Sequence, residues 1–498
     1  MAIVTGCAGG VSGSTSLSGC ALGGRWEGFA DHGALKRRIA SSRSHSSPLP
    51  LSIRGRNGSV EPLPPAAQHG TRLMCFTNEP PDQQAPAVPA RRMDDVNIGG
   101  AAPAPGTSAL RPPLGVLAET APAASRLGAY IHVPFCTKRC YYCAFNTAPL
   151  DSPEVMERYV RALLSEIEIA CSVEWAPRIQ IGSVFFGGGT PSLLSAEDLA
   201  AVLARLRSAF RLDPDAEVTV ECNPESVDAP KLAAYRAAGV NRVSLGVQSL
   251  DDSMLQRIGR LHDAAGARRA FGDVRAAGFD NVSVDLMYGL PGLDLDRWRA
   301  GVAGVFDWQP EHLSAYGLSL DAGSLWGATG VPDLPPEDGV VAQYWALAHL
   351  AADRGFEHYE ISNYARPGYR SRHNLVYWHR GEYLAFGPGG AGFVGDVRYT
   401  NVKPTPRYCA EIEAGRLPID AFERPDERQA LAERLMLGLR LVVGVPEAWI
   451  DARVAGDRAL AGRVAEWRRR GLLESTDGRA RLSEAGFLVS DALFVDFL

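Results

Sequence analysis

Six short apolar runs, separated by stretches of helical periodicity, constrain this 498-residue chain more than any other feature. The runs fall at 128–134, 181–187, 217–222, 241–247, 281–287 and 312–318. Helical patterns fill the gaps at 153–174, 196–208, 228–239, 264–277, 295–306 and 338–354. In the first of these, Val155, Tyr159, Leu163 and Ile167 recur on one face, behind Ser152 as N-cap and Pro153 at the first helical position. The second opens with Ser195-Ala-Glu-Asp198, a start similar to a capping box. Strand–helix units in a row imply parallel strands joined by right-handed crossovers. The fold class is therefore α/β, as a flat sheet or a curved partial barrel; periodicity does not separate the two. In both architectures ligands bind at the carboxyl ends of the strands. The polar residues are accordingly read by their place after each strand.

After the first run comes Tyr130-Ile-His-Val-Pro-Phe-Cys136-Thr-Lys-Arg-Cys140-Tyr-Tyr-Cys143, a C-x3-C-x2-C spacing. Three thiolates on one tight loop can hold three irons of a cubic [4Fe-4S] cluster, which ordinarily takes four cysteines. The fourth iron is then open to a small molecule. A zinc site needs four ligands, usually as C-x2-4-C pairs. The next cysteines, Cys171 and Cys222, form no such pair.

The second run leads into Phe186-Gly-Gly-Gly-Thr-Pro-Ser192, where glycine lets backbone approach a ligand closely. The third ends at Glu221-Cys-Asn-Pro-Glu225, a carboxylate suited to ribose hydroxyls. The fourth gives Gln248, and then Ile258-Gly-Arg260-Leu-His262 supplies a cation suited to a carboxylate. The fifth gives Asp285-Leu-Met-Tyr-Gly-Leu-Pro-Gly292, and the sixth Ser314-Ala-Tyr-Gly317. Each alone is an ordinary strand-end residue; six in register point to one pocket.

The cysteine spacing, with aromatic Tyr142 before the last cysteine, resembles the signature of the radical S-adenosylmethionine (SAM) family. The resemblance runs from about 128 to the C-terminus and is closest to the branch holding oxygen-independent coproporphyrinogen III oxidase and the HemW-like heme chaperones. It implies a partial (β/α)6 TIM-like barrel over 127–400 and a HemW-like C-terminal domain over 401–498. It implies a [4Fe-4S] cluster on Cys136, Cys140 and Cys143, with SAM against Tyr130, Tyr142, Gly188, Glu221, Gln248, Arg260 and Asp285. Gly189 and Thr190 fall where the oxidase contacts a second SAM.

Two features separate the branches. The oxidase pattern continues to a fourth cysteine, where this chain has Phe145. His373-Asn-Leu-Val-Tyr-Trp378 matches the H-N-x-x-Y-W pattern of the heme-binding branch. The resemblance therefore implies heme binding, with His373 as candidate ligand, and delivery to apo-hemoproteins. An electron donor such as a ferredoxin or flavodoxin and a membrane-associated recipient are implied partners. The alternative is the oxidase itself, and catalysis besides heme binding stays open. HemW-like chains often read Gly-Pro-Gly-Ala-His-Ser after the aromatic stretch; this chain has Gly387-Pro-Gly-Gly-Ala-Gly392.

Residues 1–98 are rich in Gly, Ala, Ser and Pro, and residues 1–60 hold seven Lys/Arg against Glu27 and Asp31. That pattern reads as a transit peptide. Its uncharged start favours a plastid over a mitochondrion. Residues 99–126, with five prolines, read as a linker outside the fold. A net charge of −6 argues against a broad nucleic-acid surface. No apolar run reaches the ~18 residues of a membrane span. Beyond about 425, a helix to Arg470, Gly471, Leu472-Leu-Glu and the turn Thr476-Asp-Gly478 read as a small winged-helix-like α+β unit. Arg463, Arg468, Arg469 and Arg470 there suit a helix C-terminus better than DNA.

Overall fold

A computed structural model describes residues 114–497. The expected transit peptide (1–98) and residues 99–113 of the expected linker lie outside the described residues.

The six expected strands form: β1 (Arg126–Val133), β2 (Gln180–Gly188), β3 (Arg211–Cys222), β4 (Arg242–Gln248), β5 (Val282–Tyr288) and β6 (His312–Gly317). Six more follow: β7 (Glu357–Glu360), β8 (Asn363–Ala365), β9 (Tyr383–Phe386), β10 (Ala391–Val394), β11 (Val397–Asn401) and β12 (Ile419–Glu423). All join one sheet, in the order β12-β11-β10-β9-β1-β2-β3-β4-β5-β6-β8-β7. The run from β9 to β6 is parallel throughout. Antiparallel strands extend it at both edges. The edge strands β12 and β7 do not pair with each other, so the wall is open, a partial barrel.

Crossover helices α1 (Pro153–Ala170), α2 (Ala196–Ala209), α3 (Ala229–Ala238), α4 (Ala264–Ala276), α5 (Leu295–Phe306) and α6 (Glu337–Asp353) cover the sheet. Seven of the eight β1 residues are buried, so both faces of the strand are shielded from water, and its apolar run is accordingly near-continuous. Side-chain caps start α2 to α5. Ser195, Asp228, Asp263 and Asp294 each accept from the backbone N–H three residues on, worth about 1 kcal/mol apiece. The Ser152 side chain makes no such cap to α1, which starts on Pro153 instead. At α2 the reciprocal half of a capping box is replaced: Ser195 Oγ donates to Asp198 Oδ2 at 2.9 Å.

Two expected boundaries are corrected. Residues 114–126 are not a free linker: Val116 and Leu117 are buried, and Glu382 accepts from Ala123 N and Ala124 N at 3.0 and 2.6 Å. The barrel also does not end at 400, because β12 pairs with β11. A second hydrophobic cluster begins only beyond it, in α8 (Glu427–Gly438).

That C-terminal part holds α8, α9 (Glu447–Val454), α10 (Arg458–Arg469) and a three-stranded antiparallel sheet of β13 (Val445–Pro446), β14 (Leu473–Thr476) and β15 (Arg479–Leu482). Asp477 and Gly478, at φ +52° and +72°, make the two-residue turn between β14 and β15, the backbone of a type I′ hairpin. Arg463 pairs with Asp496 at 2.9 Å, and Arg468 and Arg469 pair with Glu447 and Glu466.

Candidate functional site

β1 carries Tyr130 and His132 on one face, two residues apart, and delivers the chain into the thiol loop. Tyr130 OH and His132 Nδ1 lie 3.0 Å apart, and His132 Nε2 reaches Asn146 O at 2.9 Å. Burial lowers the His132 pKa. Asn146 Nδ2 donates in turn to Pro388 O and Lys403 O. The loop's exit is thereby tied to the Gly387–Gly390 turn after β9. A short pairing of Phe135–Cys136 with Ala148–Pro149 closes the loop at its base.

Cys136, Cys140 and Cys143 are all free and half-buried on this loop. Burial pushes the Cys136 thiol up to about 11 and raises Cys143 as well. Thiols so placed become ligands when a metal cation displaces their protons. Among the described residues no three Cys, His, Asp or Glu side chains gather tightly enough to hold one ion. Thr190 Oγ1 donates to Cys136 Sγ at 3.5 Å and Arg260 Nη1 to Cys140 Sγ at 3.6 Å. Tyr142 sits in the loop with its hydroxyl pKa raised, chiefly by burial.

The Gly188–Thr190 turn lies directly behind the loop. Gly189 N donates to Val133 O at 2.8 Å and Thr190 N to Phe135 O at 2.7 Å. A Cβ on Gly189 would stand 2.5 Å from Phe135 O, so only glycine fits. Gly188, at φ +117°, donates its N–H to Glu221 Oε2 at 3.1 Å.

The other strand ends converge on this edge. Burial and the neighbouring Asp285 charge push the Glu221 carboxyl up to about 7. Burial also raises Asp285, against hydrogen bonds from Ser314, Ser244 and Ser283. Gln248 ends β4 at φ +65°, a left-handed conformation uncommon for a non-glycine residue. Such outliers gather at ligand sites. Arg260 Nε is buried without a partner, a donor suited to an incoming carboxylate.

The structure thus brings Tyr130, Tyr142, the three cysteines, Gly188, Gly189, Thr190, Glu221, Gln248, Arg260 and Asp285 to one end of the wall. It adds His132, Asn146 and Asn223, which reading by strand ends missed. The alternation that places Tyr130 could have flagged His132.

His373 is placed differently. It is fully buried in α7 (Arg372–Trp378), with Nδ1 2.9 Å from Ser183 Oγ and Nε2 2.8 Å from the Tyr377 hydroxyl. Its ring stacks on Phe185, and burial pushes its pKa down to about 3. Both ring nitrogens are engaged, so the expected heme ligand offers the iron no free nitrogen in this arrangement. Trp378 is also buried, under the Arg440 guanidinium at 5.9 Å.

An open parallel wall with three thiols beyond its first strand, and a glycine turn and carboxylates beyond the next, is the arrangement of a radical SAM protein. The Radical SAM superfamily model matches residues 130–300. The solved coproporphyrinogen III oxidase (HemN) from Escherichia coli, a radical SAM enzyme, shares the fold: TM-score 0.66 at 20% identity, covering 78% of this chain and 91% of that one. A curated relative named heme chaperone HemW, from Mycobacterium tuberculosis, is 38% identical over 378 residues, 74% of this chain and 93% of that protein. The chain belongs to the HemW family of radical SAM proteins. The mouse radical S-adenosyl methionine domain-containing protein 1, mitochondrial, is also 38% identical, over 65% of this chain and 75% of that protein. Membership of the radical SAM family implies a [4Fe-4S] cluster and SAM, and the donor set described above fits both.

Proposed function

We propose that this chain is a radical SAM heme chaperone, holding a [4Fe-4S] cluster, SAM and heme, and delivering heme to apo-hemoproteins. The observation that carries this over the oxidase alternative is Phe145. Its ring is 42% exposed at the position of the oxidase's fourth cysteine. A phenyl ring neither ligates iron nor carries thiol chemistry, but it can lie against a planar macrocycle.

In this reading Cys136, Cys140 and Cys143 hold the cluster, which supplies a reducing electron when loaded. Arg260 would take the SAM carboxylate and Glu221 and Asp285 its ribose hydroxyls, with Tyr130, Tyr142, Gly188 and Gln248 completing the site. Gly189 shapes the loop, and Thr190 is committed to Cys136, which supports one SAM rather than two. Lys138 and Arg139 are exposed on the thiol loop, a cationic rim suited to an acidic ferredoxin or flavodoxin. We place His373 as a packing residue and leave heme ligation to another side chain. A mitochondrial address gains support from the relative named mitochondrial, against the plastid favoured by the N-terminus. Imaging of a fluorescent fusion to residues 1–98 separates the two organelles. Among the described residues no helix is long and apolar enough to cross a membrane.

Heme titration of the full chain, followed by the Soret band, tests the proposal. Wild type and His373→Ala should both give a saturable shift. Absence of binding by wild type would overturn the chaperone reading. Loss in a folded His373→Ala variant would return His373 to the heme.

A further inference from the structure

We infer that Asn223, directly after β3, is a positioning residue that aims two hydrogen bonds at the cluster thiolates. Its Oδ1 accepts from Arg260 Nη2 at 2.7 Å, and its Nδ2 donates to Thr190 Oγ1 at 3.2 Å. The amide's orientation follows from chemistry alone. Arginine only donates, so the carbonyl must face Arg260 and the NH2 must face Thr190. Thr190 Oγ1 is then an acceptor toward Asn223, and its single proton is left for Cys136 Sγ, 3.5 Å away. On the other side, Arg260 Nη2 is held by both Asn223 and Gly246 O, the latter at 2.6 Å. That grip sets Nη1 on Cys140 Sγ at 3.6 Å. One side chain therefore orients the donors to two of the three thiols. Its own backbone is pinned too, with Asn223 N donating to Ser192 Oγ at 3.2 Å. Gly246 leaves room for the arrangement: a Cβ there would lie 3.2 Å from Arg260 Nη2 and 3.3 Å from Asn223 Oδ1.

Hydrogen bonds to cluster sulfurs stabilise the more negative, reduced state and so raise the reduction potential. Asn223 is thus a device for setting the potential, acting through Thr190 and Arg260 without touching iron. The inference rests on the cluster being held by Cys136, Cys140 and Cys143.

The test is an EPR-monitored redox titration of the anaerobically purified, cluster-loaded full chain. Asn223→Ala and Thr190→Val should each move the midpoint to more negative potential. The double variant should move it by less than the sum of the two, because part of the Asn223 effect passes through Thr190. Iron and sulfide content separates the two levels of the argument: wild type without a cluster sinks the underlying site. Clusters at wild-type occupancy with an unmoved midpoint overturn the role of Asn223. If Asn223→Ala does not fold, Thr190→Val, which keeps the side chain's shape, decides by the same criterion.

Discussion

Gly189 shows how strictly single residues are constrained at this site. With Phe135 O 2.5 Å from where a Cβ would stand, the contact is to backbone and cannot be relieved by a rotamer change. Gly189→Ala should detach the turn from the thiol loop and lower bound iron several-fold, measured by iron and sulfide analysis after anaerobic purification. Retention of a full cluster would show that the loop yields. His373 behaves as a buried partner to two hydroxyls. His373→Ala leaves Ser183 and Tyr377 unpaired around a cavity and should cost about 3 kcal/mol in denaturant unfolding. Glu221 and Gln248 were legible in the sequence because they stand at the ends of β3 and β4; Tyr130 and Asp285 lie within β1 and β5 and Arg260 beyond the helix after β4, so the family resemblance was needed to single them out. Asn223 and His132 were not, because their meaning lies in partners from other strands. For His373 the motif gives residue type and spacing, not whether a nitrogen is free, and here both nitrogens have hydroxyl partners.

At the scale of elements, Glu166 is the clearest joint. This α1 carboxylate accepts from Gly387 N and Asn401 Nδ2 at 2.7 Å and from the Tyr408 hydroxyl at 2.6 Å, tying α1 to the turn after β9 and to β11. Burial pushes it up from 4.5 to about 7 despite these donors. A carboxyl with a raised folded pKa is protonated in the fold while the unfolded chain has already ionised. Stability should therefore fall as pH rises from about 4.5 to about 7, by on the order of 3 kcal/mol for this group. Glu166→Gln, which cannot ionise, should flatten that part of the stability–pH profile; an unchanged slope would assign it to other groups. The six long strands and their helices were readable from periodicity. β9 was not, since its four residues, Tyr383–Phe386, carry no measurable period. Its parallel place beside β1 is fixed by tertiary pairing alone.

Across the whole molecule, the barrel wall and the C-terminal part lock together. Arg380 and Arg398 both reach Glu433 of α8 at 2.7 Å, and Ile361 N donates to Arg440 O at 3.0 Å. In the H-N-x-x-Y-W helix, His373 reaches Ser183 of β2 and Trp378 lies under Arg440, so the helix sits between the barrel wall and the C-terminal part, and the sheet runs past 400 to Glu423. Composition could not place that boundary, because β10 to β12 are short edge strands whose membership depends on pairing. With the proposed [4Fe-4S] cluster on the thiol loop, Cys136→Ala should abolish the iron–sulfur absorbance while leaving the circular dichroism of the fold in place. The proposed function is heme handling rather than porphyrinogen decarboxylation. Anaerobic incubation of the cluster-loaded protein with coproporphyrinogen III, SAM and a reductant separates the two. A heme chaperone should form no protoporphyrinogen above the no-protein control; formation at a catalytic rate would make the chain an oxidase instead.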